Sequence, residues 1–600
     1  MVRYLIGIDF GHGETTASCV DLQSADHTPW HLNILDGSTD EARKVESCVW
    51  SGTNKEQWHL GCPSMDGARD FFINFKAPMN EITPENKMAY ASFIKLVYEH
   101  ILENQSALFT YDRRTGERNY EIYIACPSGW NKEDPKQIHE YLEFFKTIIP
   151  ATWVLRESDA AYFKFKDKEQ AQAKSILVID VGSSTIDFTF YNEGGMNLTE
   201  GFKHGASRME RDILRYIEQH FPEYIEARDE QDAAFAQEQN KKRNWRNYVL
   251  HDIKIRKEEF YTKGGPDTIG TMVLDISNRR FLHTLRKRLF DNITFDKTKL
   301  EEVLAQYCST LRQDFESVAA RVAPETVILT GGASRMPWLQ LLVKDVFSSA
   351  KVLRDDNPSY VVSDGIAAYA YAKHEYMQSL DSLVGRFWSE HSDSKLSDLI
   401  FEGFNDTLRT IQLPMIKTIC DAYVRGEMKD AAGNCSTQTF IPAMERHNNA
   451  VLRDNSGRIS AEVDRLLGQH LDGILTAQIK ELFQECYGNR EIEVNLAVDL
   501  HIGLQDVSID NQWDAQMIKE VTESLFGNWL ANGRIDKHRG SNERQQFSTR
   551  FYEEQESAKV TLPNRMMISL VNGLKAQIQR ALDDVRLKAP FETIYSQDNK

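Results

Sequence analysis

Two short segments constrain this chain more than anything else in it. Residues 5–18 read LIGIDFGHGETTAS, and residues 176–190 read ILVIDVGSSTIDFTF. Each runs from an apolar stretch into Asp, one further residue, Gly, then small or hydroxyl-bearing residues and a second β-prone stretch. Each therefore predicts a β-hairpin with an Asp-x-Gly turn. The pattern suits phosphate chemistry. Glycine lets the backbone approach an anion, and successive N–H groups form an anion-binding nest. Asp9 and Asp180 cannot favour bare phosphate, so together they imply a divalent cation between them. Mg2+ takes one or two carboxylates together with waters and phosphate oxygens. A third segment, VILTGGASRMP at 327–337, ends an apolar strand in Gly331-Gly332 before a helix predicted from Trp338 to Phe347. That junction suits a ligand at a helix N-terminus. One hairpin or one Gly-Gly turn is weak; two hairpins followed by the turn are strong together.

With 600 residues the chain is too long for one ordinary domain. Hydrophobic residues at 41% and charged residues at 27% allow a sizeable core and argue against bulk disorder. Acidic residues outnumber basic ones, 89 to 71, and the net charge of -18 argues against broad nucleic-acid binding. A local basic loop at 534–550, RIDKHRGSNERQQFSTR, escapes that argument, although a solvated loop is its plainer reading. No apolar run approaches the roughly 18 residues of a membrane span, and the opening MVRYLIGIDF is too short for an export signal. The eight cysteines are scattered, with no CxxC pair and no zinc-finger spacing. They read as small buried apolar residues in a cytoplasmic protein.

The chain resembles the actin-like ATPase superfamily, and within it the nucleotide-binding domain of DnaK-type heat-shock-70 chaperones. The resemblance covers about residues 1–378 and rests on GIDFG, TTASCV, ACPSGW, RESDAAYF, IDVGSSTIDF, DISNRRFLHTL and LTGGASRMPWLQLLVKDVF. It implies an α/β fold of two ribonuclease-H-like lobes with ATP or ADP and Mg2+ in the cleft. Lobe I would span 1–175, with an outer subdomain at about 36–116. Lobe II would span 176–378, with an outer subdomain at about 208–310 and a charged helical run from Glu226 to Arg246.

Carried over residue by residue, the resemblance places Asp9 and Asp180 on the metal. Gly11, Gly13, Thr15, Thr16, Gly182, Ser183, Ser184 and Thr185 would hold phosphate oxygens. Lys76 would neutralise the transferred phosphate, Glu157 would place metal and water, and Asp187 would orient a water. Asp159 rivals Glu157 from the same helical turn. Gly205 would lie near the α-phosphate. Lys254, Lys257 and Glu258 would cover one adenine face, and Gly331, Gly332, Ala333, Ser334 and Arg335 the nucleoside. Asp364 marks the helix returning to lobe I. Two departures stand out: His12-Gly13-Glu14 looks like an insertion that lengthens the first loop, and Ser183-Ser184 replace two glycines.

Residues 379–385, SLDSLVG, read as a linker, and 386–600 as a mainly α-helical region lacking a peptide-clamp sandwich. Apolar stripes at Val463, Leu466, Leu467, Leu471, Ile474, Leu475, Ile479, Leu482 and Phe483, and at Leu570, Val571, Leu574, Ile578, Leu582 and Val585, predict core helices. Residues 434–458 read as a loop and 491–509 as a β-prone insert. The function expected is an ATP-driven switch of the heat-shock-70-like type that acts on a protein partner through the helical region. The alternative is a filament-forming or scaffolding actin relative, though the long extension weighs against simple actin-type stacking. A small-molecule kinase is a third and weaker reading.

Overall fold

The computed structural model describes every residue except 1, 38, 52–56, 64–69, 113, 132–135, 166–173, 193–194, 223, 227–228, 230–244, 266–269, 275–292, 425–436, 489, 503–507, 511–558 and 590–600. The DISNRRFLHTL segment, most of the Glu226–Arg246 run and the basic loop at 534–550 lie outside the described residues. The chain divides into two compact units, Met1–Glu375 and Tyr376–Pro590.

In the first unit, β1 (Tyr4–Phe10) and β2 (Glu14–Asp21) form the first expected hairpin. Strands β3 (Trp30–His31) and β4 (Lys44–Glu46) both pair with β2. A small antiparallel sheet follows, from β5 (Cys48–Ser51), β6 (Trp58–Leu60) and β7 (Asp70–Ile73). Helix α1 (Pro84–Asn104) is capped by the Thr83 side chain and opens on Pro84, a residue suited to a first turn. Then come β8 (Tyr120–Cys126), α2 (Lys136–Lys146), β9 (Ala151–Arg156) and α3 (Glu157–Phe165). The sheet order is β3-β2-β1-β8-β9, antiparallel up to β1 and parallel beyond it.

The second hairpin is β10 (Ser175–Val181) with β11 (Ile186–Asn192), followed by β12 (Gly195–Phe202) and α4 (Ser207–His220). Next are α5 (Trp245–Thr262), the β13–β14 pair (Thr271–Val273, Thr294–Asp296) and α6 (Lys297–Ala319). The series closes with β15 (Thr326–Thr330), α7 (Pro337–Val346), β16 (Lys351–Arg354) and α8 (Val361–Glu390). This sheet runs β12-β11-β10-β15-β16, again antiparallel and then parallel. The two halves of the unit thus repeat one topology. Each central strand is apolar on both faces because it is covered on both: Leu5, Ile6 and Ile8 in β1, and Leu177, Val178 and Ile179 in β10, are at most 1% exposed.

Helices α3 and α8 meet closely. At Gly365 any Cβ would collide with the Ala160 carbonyl, so only glycine permits the approach.

The second unit is mainly helical where described: the end of α8, α9 (Asp393–Val424), α10 (Thr437–Tyr487) and α11 (Asn564–Leu587), with a strand pair β17–β18 (Ser508–Asp510, Lys559–Thr561). The second apolar stripe is core throughout; of the first, Leu466, Ile474 and Leu482 are only half-buried. Val463, Leu467, Leu471, Leu475, Ile479 and Phe483 are buried with Leu570, Leu574, Ile578 and Leu582.

Three expectations for this region differ from what is found. Residues 379–385 are not an extended linker but lie inside α8, with Leu380 and Leu383 in the core of the second unit. The loop expected at 434–458 is helical from Thr437 onward. Its Asn, Ser and Gly lower helix propensity by at most about 1 kcal/mol each, which a helix anchored by the packed stripe beyond it absorbs. Of the β-insert expected at 491–509, residues 491–502 form no strand, although Ile492, Leu496, Leu500 and Ile502 are buried, while its end enters β17 at Ser508.

Candidate functional site

The turns of both hairpins line one cavity of about 700 Å³ in the first unit, and Gly13 of the first comes close to Ser183 of the second. Cross-strand pairing sets Phe10 opposite Thr15 and Val181 opposite Ile186. The turns are therefore equal in length, Gly11-His12-Gly13-Glu14 and Gly182-Ser183-Ser184-Thr185. The first loop carries no insertion relative to the second. All eight of these residues line the cavity.

This register moves Thr15 and Thr16 out of the site. Both sit within β2, where Thr15 Oγ1 meets Ser47 Oγ at 3.1 Å. Thr16 Oγ1 donates to the Ser359 carbonyl at 3.2 Å and to Ser363 Oγ at 3.0 Å.

The carbonyls of the second turn are occupied. Gly205 N–H donates to Ser184 O, Ala206 N–H to Gly182 O and Ser207 N–H to Ser183 O. Gly205 thus braces the turn from outside the cavity, packed so tightly that a Cβ would strike Ser183 O. The amides of Ser183 and Ser184 have no hydrogen-bond partner among the described residues. Tied carbonyls and open amides are the makings of an anion nest.

Acidic groups gather between the turns. Asp9 and Asp180 are the penultimate residues of β1 and β10, and Glu157 opens α3; all three line the cavity. Lys76 reaches in from the segment after β7, and its Nζ donates to Glu157 Oε1 at 2.7 Å. Burial, with the charge of Glu157 behind it, pushes the Asp9 carboxyl up to about 7. Asp180 is raised well above the usual carboxylate range by burial and then by the charges of Glu157, Asp187 and Asp9. Burial disfavours the charged Lys76, but Glu157, Tyr90 and Asp9 outweigh it and raise the lysine. Burial lowers His12 to about 4, so its ring is neutral at pH 7. Asp9 Oδ1 is buried with no hydrogen-bond partner among the described residues. Several carboxylates facing one lysine, with an orphaned oxygen among them, form a site short of positive charge.

Asp187 pairs across the strands with Asp180 and is 1% exposed, behind the cavity wall. Asp159, the rival of Glu157, is committed elsewhere: Arg156 Nε donates to it at 2.8 Å and Tyr191 OH at 2.5 Å.

The cavity is also lined by Gly331, Gly332, Ala333 and Arg335 from the Gly-Gly turn, next to Asp180, and by Lys257 and Glu258 from α5. Gly331 has φ +83°, and a Cβ there would meet the Asp180 carboxylate. Its identity is thus fixed twice, by backbone conformation and by space. Arg335 Nη2 donates to Ser359 Oγ at 2.8 Å. Lys257 Nζ pairs with Glu210 Oε1 at 2.5 Å.

Three further expected residues lie off the cavity. Lys254 Nζ donates to the Gly13 carbonyl at 2.7 Å, so it grips the first turn from behind. Ser334 is fully buried beneath the Gly-Gly turn. Asp364 accepts from Ser18 Oγ and from Lys164 Nζ, each at 2.6 Å, and faces His31. It pins α8 to β2 and α3. Sequence reasoning missed Tyr261, Met336, Pro358 and Val362 as wall residues. Only their nearness to the motifs could have signalled them.

Fold and site together define a mixed α/β protein whose repeated halves enclose a phosphate-suited, cation-deficient cavity. No family model matches the chain. It is 22% identical over 254 residues to the cell shape-determining protein Mbl of Bacillus cereus, a span of 41% of this chain and 66% of that protein. The chain thus covers just under two thirds of that relative. This distant similarity supports the actin-like ATPase superfamily and does not support the narrower heat-shock-70 type. Among the described residues, no helix is long and apolar enough to cross a membrane.

Proposed function

We propose that the first unit is a two-lobed actin-like ATPase domain, lobes 1–175 and 176–378, that binds ATP or ADP with Mg2+. Its nucleotide state would control assembly into a filament or scaffold. The observation that carries this reading is the pair of equal four-residue turns that line one cavity, each following the first strand of a sheet with the same strand order. Similarity to a cell shape-determining protein favours assembly over client folding.

The residues present fit a divalent cation, because Asp9 Oδ1 is orphaned and the carboxylates outnumber the nearby lysine. Asp9 and Asp180 would hold Mg2+, which supplies charge neutralisation for the phosphates. The open amides of the second turn would bind phosphate oxygens. Lys76 would offset charge on the transferred phosphate, and Glu157, positioned by Lys76, would orient the attacking water and accept its proton. Arg335, Lys257 and Glu258 would hold the nucleoside.

A second reading is a nucleotide switch acting on a protein partner through the helical unit. The helical unit favours it, since it has a hydrophobic core of its own, with Leu380, Phe387, Leu471 and Leu574 buried. Electron microscopy and light scattering with Mg-ATP, Mg-ADP or no nucleotide separate the two. ATP-dependent polymers are expected. Monomeric protein under every condition, together with a partner captured only in the ATP state, would replace assembly with the switch.

A further inference from the structure

A second cluster of titratable side chains lies outside the nucleotide reading. Glu46 ends β4, Cys48 opens β5, and His251 projects from α5. Their ligand atoms all lie within 4.8 Å of one another. His251 Nε2 is 2.5 Å from Glu46 Oε2, and Cys48 Sγ is 3.8 Å from that same oxygen. The thiol and the imidazole are buried, 1% and 4% exposed. Beside them is a void of about 20 Å³, lined by Ser47, Cys48 and His251 and by Gly13 and Ser183 of the two turns. That is room for about one water.

An ion pair would account for Glu46 and His251 alone. A weak S–H hydrogen bond joins Cys48 to the same oxygen, but neither contact accounts for three donors of metal-binding type converging beside a one-water void. We propose that Glu46, Cys48 and His251 bind a divalent transition cation of the zinc type, with a water in the void as fourth ligand. A mixed sulfur, nitrogen and oxygen set suits Zn2+ or Co2+, whereas Mg2+ and Ca2+ take oxygen. Charge also balances. A carboxylate and a thiolate neutralise the ion, so the neighbouring Lys254 ammonium, held by Gly13 O at 2.7 Å, faces an uncharged centre. Glu46 also lines the large cavity, which gives the ion a route in. The metal would clasp β4 and β5, on the side of the first turn, to α5, on the side of the second. The site stands independently of what the large cavity binds.

The test is titration of the full-length protein with Co2+ in a phosphine reductant. One equivalent should produce a thiolate-to-cobalt charge-transfer band and tetrahedral d–d bands, with Zn2+ displacing them and Mg2+ leaving them unchanged. Cys48→Ser should abolish the charge-transfer band, His251→Ala should weaken binding at least tenfold, and Cys62→Ser should leave the spectrum intact. Absence of the band in the wild type, or its persistence in Cys48→Ser, overturns the site. Should Cys48→Ser fail to fold, X-ray absorption of the Zn2+-loaded wild type decides. One sulfur neighbour supports the site, and a shell without sulfur refutes it.

Discussion

The two hairpins of the first unit share a register and a turn length but differ in chemistry. Gly182-Ser183-Ser184-Thr185 is small and neutral, with its carbonyls held by residues 205–207. Gly11-His12-Gly13-Glu14 carries a neutral imidazole and a carboxylate, and it is braced by Ser47 and Lys254. At the matching cross-strand position the first hairpin has Thr16 opposite Asp9, and the second has Asp187 opposite Asp180. One repeated backbone thus presents two different faces. The second turn offers amides to an anion, while Asp9 and Glu157, joined by Asp180 from the second hairpin, offer carboxylates to a cation, with Lys76 set among them.

The largest way to break this comparison is to remove that lysine. Lys76→Ala leaves Glu157 buried and unpaired, a loss on the order of 3–5 kcal/mol. Thermal denaturation should show a strongly destabilised protein, partly rescued by adding Glu157→Gln. An unchanged melting temperature in Lys76→Ala would contradict the buried pairing of Lys76 with Glu157.

A smaller effect comes from pH. Asp9 titrates near 3.8 when unfolded and is raised to about 7 in the fold. The folded state therefore holds this proton more tightly. Ionisation between those values costs stability, and the full penalty applies above the folded value. Without divalent cation the melting temperature should fall across that window. Mg2+ should raise it more at about pH 8 than at about pH 5, and Asp9→Asn should flatten both trends. A cation effect independent of pH would contradict the assignment of Asp9.

The smallest expected effect makes the first turn resemble the second. Glu14→Thr supplies the residue found at the equivalent position, Thr185, and removes one carboxylate from the cavity. Affinity for metal-free nucleotide should rise about tenfold, roughly 1.4 kcal/mol, with a weaker gain when Mg2+ is present. Equal affinities in both proteins would show that Glu14 does not face the phosphates.

Much of this was legible in the chain itself, because hairpins and Gly-Gly turns are local. The residues of 176–190 and 327–337 signal their strands and turns locally, although contacts from residues 205–207 and between β10 and β15 complete them. The roles of Thr15 and Thr16 were not legible, since register, set by pairing along the whole of β1 and β2, decides which hydroxyls enter the turn. The linker expected at 379–385 carried an unread signal: Leu380, Leu383, Val384 and Phe387 have helical spacing. The Glu46–Cys48–His251 cluster joins residues about 200 positions apart, which no sequence spacing announces. Asp364 entered the expected site only through the resemblance of its helix, and its carboxylate serves helix docking.

The central claim is that both turns belong to one nucleotide site. Titration calorimetry of the full-length protein with Mg-ATP, alongside Asp180→Ala and Gly331→Asp, tests it most directly. One site per chain is expected in the wild type, with no measurable binding in either variant although each remains folded by circular dichroism. No heat from the wild type, or wild-type affinity in both variants, would contradict the account.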